Sequence, residues 1–154
     1  MIKALIVDDK PASIELMKWL IQKHCSEIGE VQTATNVGDA IAIIKSFEPD
    51  MVFLDIQMPH QSGFDLLSAI GKWDFEVVFT TAYNEFAIQA IRFSALDYLL
   101  KPVDANELVK AVERFKVKRI YAPAGEELYR NFIQNISAKE KKMALPGVTD
   151  IKYV

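Results

Sequence analysis

One cysteine, Cys25, in 154 residues leaves no partner for an intramolecular disulfide. The fold has to hold without that bond, and the usage suits a reducing compartment. A basic excess is also lacking: 18 Lys and Arg stand against 21 Asp and Glu, a formal net charge of −3. This excludes the broad positive field that gathers nucleic-acid phosphates, so any DNA contact has to come from a further piece of chain. No apolar run approaches the ~20 residues of a membrane-spanning helix. Met1 to Val7 is too short for the apolar region of a secretory leader, and Asp8 and Asp9 follow at once. Low-complexity tracts are missing too. What is present is an ordinary globular composition, 51% hydrophobic and 25% charged, long enough for one sizeable core and an extra segment. The expectation is a soluble, cytoplasmic protein without membrane contact.

The apolar pattern alternates short runs with helical spacing. Ala4-Leu5-Ile6-Val7 reads as a strand buried on both faces. Pro11 then suits a first helical turn, and Ile14, Met17, Trp19, Leu20 and Ile21 supply the apolar side of a helix expected to stop near Gly29. Val31 to Thr35 reads as a second, edge strand. Asn36 is the candidate cap of a helix carrying Ala40, Ile41, Ile43, Ile44 and Phe47. Met51 to Leu54 delivers Asp55 at its end, and Gly63 opens a helix bearing Phe64, Leu66, Leu67 and Ile70. Val77 to Thr81 is a fourth strand, Glu85 to Phe93 a short helix, Asp97 to Leu100 a fifth strand, and Asn106 to Lys118 a fifth helix. Crossovers of this length demand parallel strands, so the fold class is a doubly wound α/β sheet. Residues 1–119 form this domain, and 120–138 read as a linker around Ala122-Pro123-Ala124-Gly125 followed by a possible helix with Leu128, Phe132, Ile133 and Ile136 on one face. That helix has three dispositions open to it: extended into solvent, packed back, or paired with another copy.

The strands end in polar residues: Asp8-Asp9, Asp55, Thr80-Thr81 and Lys101-Pro102. A parallel sheet opens all its carboxyl ends on one edge, so these residues converge on one cleft. Three crowded carboxylates repel by roughly 1 to 4 kcal/mol per pair at ~4 Å. Lys101 supplies one offsetting charge, and an all-oxygen cluster is also what Mg²⁺ prefers. Taken singly, Asp-Asp reads as a helix cap or turn, Asp55 as an N-cap, Thr-Thr as strand propensity and Lys-Pro as a loop. Their joint placement points to phosphoryl chemistry with Asp55 as nucleophile. His24 beside Cys25 is read as a surface pair at a helix end, and His60 as an exposed loop residue.

The set Val7-Asp8-Asp9, Leu54-Asp55-Ile56-Gln57-Met58-Pro59 with Gly63, Thr81-Ala82 and Lys101-Pro102 resembles the receiver domain of two-component response regulators. The resemblance implies strand order 2-1-3-4-5 and Asp55 as phosphoacceptor for a histidine kinase. It implies Mg²⁺ surrounded by Asp8, Asp9, Asp55 and the backbone carbonyl of Gln57, with Thr81 and Lys101 on the phosphoryl group. Tyr98 is implied as the aromatic that moves inward when Thr81 moves. Lys10 stands where such receivers often carry another acid. Phe79 to Tyr83 with Phe86-Ala87, and Ala95 to Pro102, resemble receivers of LytTR-type transcription regulators. Residues 139–154 are similar to the opening of the LytTR DNA-binding domain, incomplete here, with dimerisation on phosphorylation as an expectation. The expected role is a switch and not an enzyme with turnover. Two rivals stand beside it: an aspartyl-nucleophile phosphatase, disfavoured by Gln57 where such enzymes place a second aspartate, and a docking domain that ignores phosphorylation.

Overall fold

A computed structural model describes residues 1–120; the expected linker, its possible helix and the expected start of a DNA-binding domain lie outside the described residues. The order is β1 (Ile2–Val7), α1 (Pro11–His24), β2 (Ile28–Ala34), α2 (Val37–Phe47), β3 (Met51–Asp55), α3 (Gly63–Ile70), β4 (Glu76–Thr81), α4 (Ala87–Arg92), β5 (Asp97–Leu100) and α5 (Ala105–Ile120). All five strands are parallel and run β2-β1-β3-β4-β5 across the sheet, as expected. Strand alternation divides the core into two layers. Ala4, Ile6, Met51, Phe53 and Val78 face α1 and α5, whereas Leu5, Val7, Val52, Leu54, Val77 and Phe79 face α2, α3 and α4. The continuous apolar runs are thus accounted for, since both sides of each central strand are covered.

Several element limits differ from the sequence reading. α1 ends at His24, where the Cys25 N–H bonds to the Ile21 carbonyl, and β2 begins at Ile28, so Gly29 lies within a strand instead of stopping a helix. The Met1 side chain lies over Gly29 where a Cβ would sit, so the glycine makes room for that side chain and does not end the helix. Cys25 is buried, which corrects its reading as a surface residue, while His24 is exposed. Trp19, expected on the apolar side of α1, is 52% exposed with the Lys23 ammonium 4.7 Å from its ring centre. Asn36 caps α2 as expected, its side chain accepting from the Asp39 N–H at 2.8 Å.

α5 is tied to the sheet by charge as well as by packing. Lys116 pairs with Glu27 at 3.0 Å, Lys118 with Glu76 at 2.7 Å and Arg119 with Asp50 at 2.9 Å. Higher on the helix, Arg114 pairs with Asp97, which is fully buried at the start of β5 and also accepts from the Tyr98 N–H. Arg114→Met should destabilise the chain by about 3 kcal/mol, because a buried carboxylate then loses its cation. Urea unfolding measures this, and an unchanged midpoint would show that Asp97 does not depend on Arg114.

Candidate functional site

The register that sets Val7 beside Leu54 brings the residues that follow β1 next to the end of β3. One carboxylate oxygen each from Asp8, Asp9 and Asp55 lies within 4.8 Å of the others. Asp8 and Asp55 are buried, and Asp9 is half-buried. None of them caps a helix. The N-cap of α1 is Lys10, whose side chain caps nothing, and Asp8 Oδ1 instead accepts the Lys10 N–H at 2.9 Å. The N-cap of α3 is Ser62, closed by a capping box with Asp65. Helix capping therefore does not explain Asp9 or Asp55, while Asp8 commits one oxygen to the local turn and keeps the other for Lys101.

Lys101, carried past the end of β5, places Nζ 2.8 Å from Asp8 Oδ2 and 3.5 Å from Asp55 Oδ1. The other oxygen, Asp55 Oδ2, is buried and has no hydrogen-bond partner among the described residues. Burial, and next the charge of Asp8, push the Asp55 carboxyl up to about 6, against the opposing pull of Lys101 and Lys10. Lys10 is itself held above its ordinary range. Slight burial works against this, and the charges of Asp9, Asp55 and Asp8 outweigh it. A largely ionised, poorly satisfied carboxylate at neutral pH is a competent nucleophile.

The donor set consists of oxygens only, and one of them is orphaned, which fits a hard divalent cation such as Mg²⁺ and disfavours softer metals. Gln57 lies two residues past Asp55 and is exposed. Gly63 comes back against the site: a Cβ there would sit 2.5 Å from the Asp55 carbonyl oxygen, and its N–H bonds to the Ile56 carbonyl at 2.9 Å.

β4 contributes two hydroxyls with different settings. Thr80, expected among the polar strand ends but given no role of its own, is the register partner of Asp55 and lines a groove of about 340 Å³ with Asp8 and Lys101. By strand alternation Thr81 falls on the other face, with Phe79 and Tyr98. The Tyr83 N–H donates to Thr81 Oγ1 at 3.2 Å, and the Tyr98 hydroxyl donates to the Tyr83 carbonyl. Tyr98 is buried, so its ring lies inward here. Thr81 and Tyr98 are thus joined through one residue's backbone, a link that only folding reveals because the three residues carry no shared sequence pattern. Lys10 was legible as a neighbour of the acid pair, and its contact with Asp9 at 3.4 Å adds a second cation beside Lys101, leaving the three carboxylates one charge in excess.

Residues 4–113 match the family model described as a response regulator receiver domain. The chain is 31% identical over 164 aligned positions to the sensory transduction protein LytT of Bacillus anthracis, covering 100% of this chain and 65% of that protein. It is 41% identical over 123 positions to the transcriptional regulatory protein BtsR of Escherichia coli, covering 77% of this chain and 50% of the other. The chain therefore spans between half and two thirds of the length of these curated relatives. Among solved structures, a response regulator receiver domain protein from Clostridium thermocellum superposes with a TM-score of 0.68 at 29% identity, covering 78% of this chain and 98% of that one.

Proposed function

Because this chain belongs to the response regulator receiver domain family, we propose that it is a phosphorylation switch in which Asp55 accepts a phosphoryl group from a histidine kinase. The single observation that supports this most directly is the orphaned, buried Asp55 oxygen beside two further carboxylates and the Lys101 ammonium. An Asp55 oxygen attacks phosphorus, the bond from phosphorus to the donor's leaving atom breaks, and that atom departs with the electron pair. The product is an acyl phosphate carrying close to two negative charges. Lys101 stays within reach of both Asp8 and Asp55 to meet that charge. The Thr81 hydroxyl, which accepts from Tyr83, retains its proton to donate to a phosphoryl oxygen. Asp8, Asp9, Asp55 and the Gln57 carbonyl would hold Mg²⁺, which when bound neutralises charge among the carboxylates and phosphoryl oxygens.

Turning Thr81 toward the phosphoryl group draws on its bond to Tyr83, and Tyr83 carries the change to Tyr98 through its carbonyl. The face affected comprises α4, β5 and α5, where Ile88 and Leu100 are exposed. That face would govern pairing with a second copy or the hold on an output domain. Residues 139–154 would begin a LytTR-like DNA-binding domain, so that the full protein works in the cytoplasm as a transcription regulator. The similarity to LytT and BtsR supports this output. The reading assigns no catalytic turnover on outside substrates.

Intact-mass measurement with acetyl phosphate and Mg²⁺ should show one added phosphoryl group, absent with chelator and absent from Asp55→Ala. Labelling undiminished in Asp55→Ala would sink the assignment.

A further inference from the structure

Lys10 is the solvent-exposed cation of the acid cluster. Its N–H is held by Asp8 Oδ1 at 2.9 Å and its backbone is extended, with φ −101° and ψ 114°, so the stem of the side chain starts beside the carboxylates. As the N-cap of α1 it gives that helix no side-chain bond, which leaves the ammonium to the acids. Nζ lies 3.4 Å from Asp9 Oδ1, and Asp9 makes no other ion pair among the described residues. The two lysines of the site differ in freedom. The Lys101 side chain is 20% exposed and reaches two buried carboxylates at 2.8 and 3.5 Å, whereas that of Lys10 is 61% exposed and reaches one half-buried carboxylate.

Charge decides what Lys10 can do beside a bound divalent ion. The negative charges of Asp8, Asp9 and Asp55 are neutralised by Lys101 and one such ion between them. Lys10 is then one cation too many. A divalent ion repels an ammonium twice as strongly as a univalent neighbour does, and an exposed ion pair of the Lys10–Asp9 kind is too weak to hold it in place. Rotation about the single bonds of the four-carbon stem carries the ammonium into solvent without any movement of the backbone. Nor does Lys10 remove the reason for an ion to enter, because it meets Asp9 and leaves the buried Asp55 Oδ2 unpartnered.

We propose that Lys10 is a displaceable counter-ion: its ammonium holds Asp9, turns out into solvent when Asp8, Asp9 and Asp55 take up a divalent cation, and by competing for Asp9 weakens the hold of the site on that cation. The inference rests on the reading of those three aspartates as ligands of a hard divalent ion. It makes Lys10 a residue that sets the metal concentration at which the switch operates. A surface lysine that merely pairs with its sequence neighbour predicts equal metal affinity with and without the ammonium.

Titration of the full 154-residue chain with Mn²⁺, a hard divalent probe whose free form is counted by its electron paramagnetic resonance signal, tests this without any phosphoryl transfer. Lys10→Met, which keeps an unbranched stem and drops the charge, should bind Mn²⁺ about three- to tenfold tighter than the native chain. Lys10→Arg should stay near the native affinity. So should Lys18→Met, which removes an ammonium paired with Glu15 at 3.8 Å farther along α1. Unchanged affinity in Lys10→Met, or an equal gain in Lys18→Met, would overturn the proposal. Asp8→Asn tells a failure of Lys10 from a failure of the metal site. Mn²⁺ binding lost in Asp8→Asn but unmoved by Lys10→Met keeps the site and removes Lys10 from its control, whereas binding undiminished in Asp8→Asn places the ion elsewhere and overturns both.

Discussion

Replacing Asp55 by asparagine should stabilise the fold at pH 7 by about 2–3 kcal/mol while abolishing phosphoryl acquisition. The carboxylate is 2% exposed, one of its oxygens is unpartnered, and its pKa is pushed up to about 6. Folding therefore works against the charged form. The sign follows from proton uptake: with a folded pKa above the unfolded value near 4, the folded state binds more protons between about pH 4 and pH 6. Stability attributable to Asp55 is fully present below about pH 4 and is lost as pH rises through about 6. An asparagine does not titrate, so the gap between the two proteins should open across that window and close below it. Urea midpoints of both proteins from acid to neutral pH measure the gap, and a difference that stays constant with pH contradicts the argument. Adding Mg²⁺ at neutral pH should stabilise the native protein by mass action and leave the asparagine variant nearly unmoved. Equal stabilisation of both would remove Asp55 from the ligand set.

Gly63→Ala should cost about 2–3 kcal/mol and slow labelling of Asp55 on the order of tenfold or more. The added methyl would sit 2.5 Å from the Asp55 carbonyl oxygen and 2.9 Å from Leu54 Cγ. The nearer atom is backbone of a central strand, which has no side-chain rotamer to yield with, so the α3 start and the nucleophile are pushed apart. The same exchange at Gly38, inside α2, meets only the Asn36 side chain at 3.5 Å and should stabilise by about 0.5–1 kcal/mol. Thermal melts and acetyl phosphate labelling rates of the two variants check the contrast. Comparable behaviour at both positions would mean that the β3 to α3 loop yields more easily than its contacts indicate.

The Gly63 contact shows where sequence reading reaches and where it stops. A Pro and a Gly after Asp55 marked a shaped loop, yet nothing in the spacing showed that the glycine returns to touch the backbone of the nucleophile itself. Gly29 misled in the opposite direction. Near the end of a helical pattern it suggested a helix stop, but it lies in β2 between Ile28 and Glu30, which pair with Ile2 and Lys3, at an irregularity of the ladder where the Met1 side chain fills the Cβ position. Trp19 failed for a related reason, because helical spacing marks a broad apolar stripe and packing against β1 uses only part of it. Cys25, read as part of a surface pair, was drawn inside by the turn into β2.

The sequence by itself determined the sheet, its parallel sense and the residues gathered at its carboxyl edge. Short apolar runs bounded by long crossovers allow few arrangements, and a polar residue that ends a buried strand has one edge at which to emerge. The tertiary structure alone decided which oxygen of Asp55 is left unpartnered, that Lys101 reaches both Asp8 and Asp55, and that the Tyr83 backbone joins Thr81 to Tyr98. Those are relations between segments tens of residues apart, set by strand register and burial to within an ångström. Local patterns of hydrophobicity and charge carry no information at that distance scale.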